Sequence, residues 1–153
     1  MISAATLTSA KAFLCWDVFE NTLAVQLVPI RTAVAYYYPP LNPHHGIVVF
    51  YSPQAPDLSE ALFLLFHEAG HVRQWIRLHE KHHGEHFCAM IERDKGAEKI
   101  AFEQEAWHCG KELLERFVQH AHLDPVVLEQ YDLYGQACLL SYADGRDRRS
   151  TAQ

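Results

Sequence analysis

The residues best able to do chemistry are His67-Glu68-Ala69-Gly70-His71, an H-E-x-x-H spacing. On a helix, positions i and i+4 lie on one face a turn apart. Both imidazoles can therefore hold one Zn²⁺ while Glu68 stands beside the position they leave open. That arrangement serves metal-assisted hydrolysis. Zinc brings the pKa of its bound water to about 7, and the adjacent carboxylate takes the proton as hydroxide attacks a carbonyl, then hands it to the leaving amine. A chain with eleven histidines can produce the spacing by chance, so the alternative is two satisfied core histidines and an incidental glutamate. Position argues for the metal: the motif lies between the apolar run Leu62 to Phe66 and Trp75, where unpaired imidazoles and a buried carboxylate are costly. Gly70 adds to this, because a small residue beside the second histidine lets backbone approach closely, at a helix-propensity cost of about 1 kcal/mol.

Two histidines leave a catalytic zinc one protein ligand short. A third ligand at H-x-x-G-x-x-H spacing needs a histidine where the chain has Arg77. Downstream, Glu103-Gln104-Glu105-Ala106 offers two carboxylates, and a helical wheel separates them. Ile100, Ala106, Trp107, Gly110, Leu113, Leu114, Phe117 and Val118 form one broad apolar face that includes Glu103, whereas Glu105 falls with Glu98 and Glu112 on the polar side. A carboxylate on a core-facing stripe needs a partner. For Glu103 that partner is either the metal or a cation such as Lys99 or Arg73.

His67-Glu-Ala-Gly-His71 followed on a later helix by Glu103-x-x-Ala106 resembles the gluzincins. Small size and a preceding strand make the chain most similar to the ImmA/IrrE group of minimal zincin metallopeptidases, over roughly Gly46 to Phe117. The resemblance implies a zinc metallopeptidase with one zinc per chain on His67, His71 and Glu103, and Glu68 as general base. It also implies an extended polypeptide substrate pairing with Gly46 to Tyr51 as the edge strand of a small antiparallel sheet. Trp107 departs from the pattern, standing where Asn or Asp often follows the alanine, and no DNA-binding or sensor domain is expected within these 153 residues. A second resemblance, to SprT-like proteases, rests on His83-Gly84-Glu85-His86-Phe87 and implies His83 as third ligand. The cysteine ribbon of those proteins does not follow, and their basic surface is missing. The remaining alternative is a zincin-fold binding or assembly module whose zinc site is not used for hydrolysis. An oxyanion-stabilising group is not singled out among Tyr131, Tyr134, Tyr142 and His108.

The elements that must position these residues follow from pattern. Leu7 to Asn21 has helical spacing, and Leu23 to Val28, Ala33 to Tyr38 and Gly46 to Tyr51 read as strands, the last two separated by a proline-rich loop. Asp57-Leu58-Ser59-Glu60 has the spacing of a capping box, and the helix it opens, Ala61 to Leu78, is apolar nearly all round in its first half. Helices over Glu85 to Arg93 and Ala97 to Gln119 come next, divided at Lys95-Gly96. Asp124-Pro125 opens a last helix running toward Tyr142. The expected fold is α+β: one zincin-like domain over 1–143, with a short antiparallel sheet on a central H-E-x-x-H helix, and a polar tail over 144–153.

At 153 residues, 49% hydrophobic and 21% charged, the chain has the composition of one globular domain. Thirteen basic against nineteen acidic residues give a net charge of −6, which argues against direct nucleic-acid binding. The longest apolar run, Ala61 to Phe66, is far short of a membrane span. Met1 to Thr6 lacks the basic region of a secretory signal, so a cytoplasmic address is expected. Cys15, Cys88, Cys109 and Cys138 form no C-x-x-C pair and read as four buried free thiols. His44 and His45 read as surface, and His79, His82, His83 and His86 as a solvated helix end.

Overall fold

The computed structural model describes residues 1–30, 33–39 and 44–143. The proline loop around Pro40, Asn42 and Pro43 and the 144–153 tail lie outside these residues. The fold is α+β. Helix α1 (Ala4–Ala12) continues as a π-helical turn (Phe13–Val18) and leads to strands β1 (Leu23–Pro29), β2 (Val34–Tyr38) and β3 (His45–Tyr51). Helices α2 (Ser59–Glu80), α3 (Gly84–Ile91), α4 (Ala97–His120) and α5 (Val126–Ala143) follow.

The three strands form a mixed sheet in the order β1-β3-β2. β3 runs parallel to β1, with Val25 opposite Ile47, and antiparallel to β2, with Tyr37 opposite Ile47. Two expectations are corrected here. The sheet is not purely antiparallel, and Gly46 to Tyr51 is its centre, not its edge. The apolar Ile47-Val48-Val49-Phe50 run suits the position paired on both sides. Val34, Tyr36 and Tyr38 of β2 stay exposed while Tyr37 turns inward. The free edges among the described strands are therefore those of β1 and β2.

The start of α2 also differs from expectation, because no side chain caps it. Asp57 spends its carboxylate on the Ile2 amide at 2.6 Å and the Ser59 hydroxyl at 2.9 Å, and Glu60 accepts from the Tyr134 hydroxyl at 2.8 Å. Tertiary partners have outcompeted the local box. At α5 the expected cap does form: Asp124 accepts from the Val126 amide at 3.0 Å. The chain enters α4 through Gly96, whose φ of 110° favours glycine. All four cysteines are free; Cys15 and Cys109 are buried, but Cys138 is only partly so and Cys88 is exposed. Among the described residues no helix is long and apolar enough to cross a membrane.

The core is built on the antiparallel pair α2 and α4. Leu62, Leu65 and Phe66 on α2 and Leu113, Leu114 and Phe117 on α4 are completely buried. Gly70 and Gly110 set the crossing. A β-carbon at Gly70 would collide with the Ala106 carbonyl, lying 2.9 Å from its carbon, and one at Gly110 would collide with the Phe66 carbonyl in the same way. Neither obstacle is a side chain that can swing aside. Gly70→Ala and Gly110→Ala are each expected to destabilise the fold by about 3 kcal/mol or more in urea unfolding, at or beyond the usual cost of overpacking. Gly84→Ala, whose nearest new neighbour is the His79 ring nitrogen at 3.5 Å, should be neutral or stabilising by up to about 1 kcal/mol.

Candidate metal centre

Helix α2 places His67 and His71 one turn apart with ring centroids separated by 4.7 Å. The glycine crossing brings α4 close enough for Glu103 to reach both. Glu103 Oε2 lies 3.1 Å from His67 Nε2 and 3.3 Å from His71 Nε2. The three residues are 5%, 2% and 3% exposed, and each offers a donor atom within 4.8 Å of the others. This buried His67, His71, Glu103 group could hold a metal ion. Two imidazole nitrogens and one carboxylate oxygen are a donor set that suits a divalent transition ion.

His71 carries a second layer of support that the sequence pattern did not reveal. Gln74 Nε2 donates to the Phe102 carbonyl at 2.8 Å and to Glu105 at 2.9 Å, and Arg77 pairs with Glu105 in turn. With its amide nitrogen committed, Gln74 turns its oxygen toward His71 and accepts from Nδ1 at 2.8 Å. This fixes the proton on Nδ1 and aims Nε2 at the site. His67 is held differently: its ring stacks on Trp107 at 4.1 Å between centroids with planes 20° apart. Among the described residues His67 Nδ1 and Trp107 Nε1 have no hydrogen-bond partner. Trp107, the departure from the resembled pattern, thus serves as the wall against which His67 is set.

The charges are strongly coupled. Burial works to raise the Glu103 carboxyl, but the His71 charge and the hydrogen bonds from both imidazoles outweigh it and hold the group well below the usual carboxylate range. Burial works to lower His71, and the Glu103 carboxylate outweighs that, so His71 sits above its ordinary 6.5. Glu68 is raised, mainly by burial. Among the described residues no hydrogen bond engages its carboxylate. Glu103 has the cation that the sequence offered as well as the imidazoles: its Oε1 meets Lys99 Nζ at 2.6 Å, and its Oε2 faces His67 and His71.

No protein-family model, curated protein or solved structure matches this chain.

Other candidate residues lie elsewhere. His83 is exposed at the start of α3 and is outside the group. His108 is exposed near Glu112, Tyr131 donates to the Trp107 carbonyl at 3.2 Å, Tyr134 donates to Glu60, and the Tyr142 ring lies 5.8 Å from Lys99 Nζ. A tyrosine not considered from sequence, Tyr37, faces the site from β2, its ring nearly parallel to His71 at 6.4 Å. Its hydroxyl meets His45 Nδ1 at 2.8 Å. His45 is therefore buried and not on the surface as its proline-rich surroundings suggested, and burial lowers its pKa to about 4. Strand alternation could have indicated both, since Tyr37 and His45 lie on the same sheet face as Ile47.

Two outcomes follow from the charge arrangement. Without metal, the stability that the raised His71 confers is present below pH 6.5 and lost as pH rises through its folded value, and Glu68 adds to the loss above 4.5. Glu103 confers stability above 4.5 that is lost as pH falls toward its depressed value. Buried His45, lowered to about 4, costs stability as pH falls below 6.5 and so opposes His71 in the metal-free protein. The zinc-dependent increment isolates the site, and added zinc should stabilise the protein against urea more at about pH 8 than at about pH 5 because it displaces a proton from His71. Gln74→Leu should weaken zinc binding by about 10- to 100-fold, measured by chelator competition.

Proposed function

We propose that this chain is a zinc-dependent metallopeptidase of the gluzincin type, resembling the ImmA/IrrE group, that hydrolyses peptide bonds in a polypeptide. The observation that carries this reading is the placement of Glu68: a carboxyl only 9% exposed, coupled to both histidines and next to the group able to hold an ion. Withdrawing a carboxylate from water costs stability, and a reaction that uses its raised proton affinity accounts for that cost.

His67, His71 and Glu103 would hold the zinc. When bound, zinc supplies the electrophile and acidifies water to near neutrality. Glu68 takes the proton of the attacking water and passes it to the leaving amine, and its raised pKa brings it closer to the range where both transfers are effective. Gln74 keeps His71 in the tautomer that presents Nε2, and Trp107 keeps the His67 ring from turning. The extended substrate is assigned to the free edge of β2, because β3 is paired on both sides and Tyr37 of β2 faces His71. Four free thiols suit a reducing compartment, the cytoplasm.

A second reading, a binding or assembly module whose zinc is not used for hydrolysis, draws support from the low exposure of the three donor residues. Two variants separate the readings. Glu68→Gln is expected to retain one zinc per chain while peptide cleavage falls on the order of 10²-fold or more. Glu103→Ala should lose zinc, whereas His83→Ala should not. Zinc-loaded protein that cleaves no peptide supports the module, and zinc loss in His83→Ala with retention in Glu103→Ala supports the SprT-like alternative.

A further inference from the structure

Lys99 is the one buried lysine among the described residues, at 5% exposed. It lies one turn before Glu103 on α4. Its ammonium group also donates to the carbonyls of Met90 at 3.2 Å and Ile91 at 3.4 Å, at the end of α3. The Phe102 and Tyr142 rings lie 5.5 and 5.8 Å from it. A fixed cation beside a group that could hold another cation is electrostatically unfavourable, and the poorly screening interior magnifies the repulsion. The two Glu103 oxygens are divided, Oε2 to the imidazoles and Oε1 to Lys99.

We propose that Lys99 is a positioning residue of the metal centre that occupies one oxygen of Glu103, so that the carboxylate offers an ion a single, partly neutralised oxygen and the affinity for divalent metal is held down. This rests on the reading that His67, His71 and Glu103 bind the ion. The same division has a chemical use, because a weaker carboxylate donor leaves more positive charge on the metal to polarise what it binds. Two effects act together on affinity. Lys99 repels the incoming ion directly, and it stabilises the metal-free form by pairing with the Glu103 oxygen that does not face the imidazoles. Removing its charge shifts both toward binding. A purely structural lysine would instead change folding without tightening the metal site.

The test measures zinc affinity of the purified full chain by competition with a chromophoric chelator at fixed pH, beside urea unfolding without metal. Lys99→Met is expected to bind zinc about ten-fold or more tightly than the parent chain, the charge repulsion outweighing any loss of carboxylate orientation, while its metal-free form unfolds at lower urea. Lys99→Arg, which keeps the charge, should return affinity toward that of the parent. Lys99→Gln removes the charge but retains a donor for Glu103, so it should move with Lys99→Met and serves if the methionine variant folds only with metal. Equal or weaker zinc binding by the uncharged variants, in a chain whose parent binds zinc, overturns the role of Lys99 and leaves the metal centre standing. A parent chain that binds no zinc removes the centre and this role with it.

Discussion

Between Gly70 and Gly110 the backbones of α2 and α4 pass so closely that neither position has room for a methyl group. The contact fixes the register of two helices that contribute donors from separate parts of the chain. One turn from the crossing on α2 lies His67, on the other side lies His71, and on α4 Glu103 meets both. A wider crossing would leave the side chains of the same residues unable to meet. The close contact also sets the α5 interface, because the Tyr131 hydroxyl lies where a Gly110 side chain would project and donates to the Trp107 carbonyl. The position of Trp107 behind His67 thus depends on the same two glycines.

Around the crossing the molecule buries an unusual density of charge for its size. Glu68, His71, Lys99 and Glu103 are all withdrawn from water within a small region. Each ion pair there repays only part of its desolvation, so the cluster is an expense that the apolar α2 and α4 faces must cover. Those faces supply Leu62, Leu65, Phe66, Leu113, Leu114 and Phe117, all completely buried. The pairing is selective: His71 has Gln74 and Glu103, Glu103 has Lys99 and both imidazoles, but Glu68 has no hydrogen bond among the described residues.

The parts of this arrangement legible in the sequence are those governed by local periodicity. The i, i+4 histidines share a helix face wherever the helix goes, and the wheel of α4 places Glu103 inward because seven of its eight apolar companions on that stripe are buried, Ile100 being only partly so. What the sequence could not disclose depends on long-range choice. Strand order is not written in alternation, so β3 as centre and β2 as edge had to be observed. Alternation along β3 puts His45 on the inward face with Ile47, but its partners, Leu23 opposite and Tyr37 against it, come from the strand order. Gln74 carries no motif of its own, whereas Lys99 is legible as a cation one turn from Glu103. The Asp57 capping box failed because Ile2, distant in sequence, offered a better donor.

That last contact has a kinetic meaning. Ile2 and Asp57 are 55 positions apart, and the segment they enclose contains every strand of the sheet. Closing it carries the entropy cost of a large loop. Hydrogen bonds between α2 and α4 join residues 28 to 39 positions apart, as in Gln74 to Phe102 and Arg73 to Glu112, whereas the strands pair across 22 positions or fewer. Chains rich in local contacts organise faster than those dominated by distant ones. The sheet is accordingly the part able to assemble early, with the helix crossing that joins the donor residues, and the Ile2 latch, closing onto strands already in register.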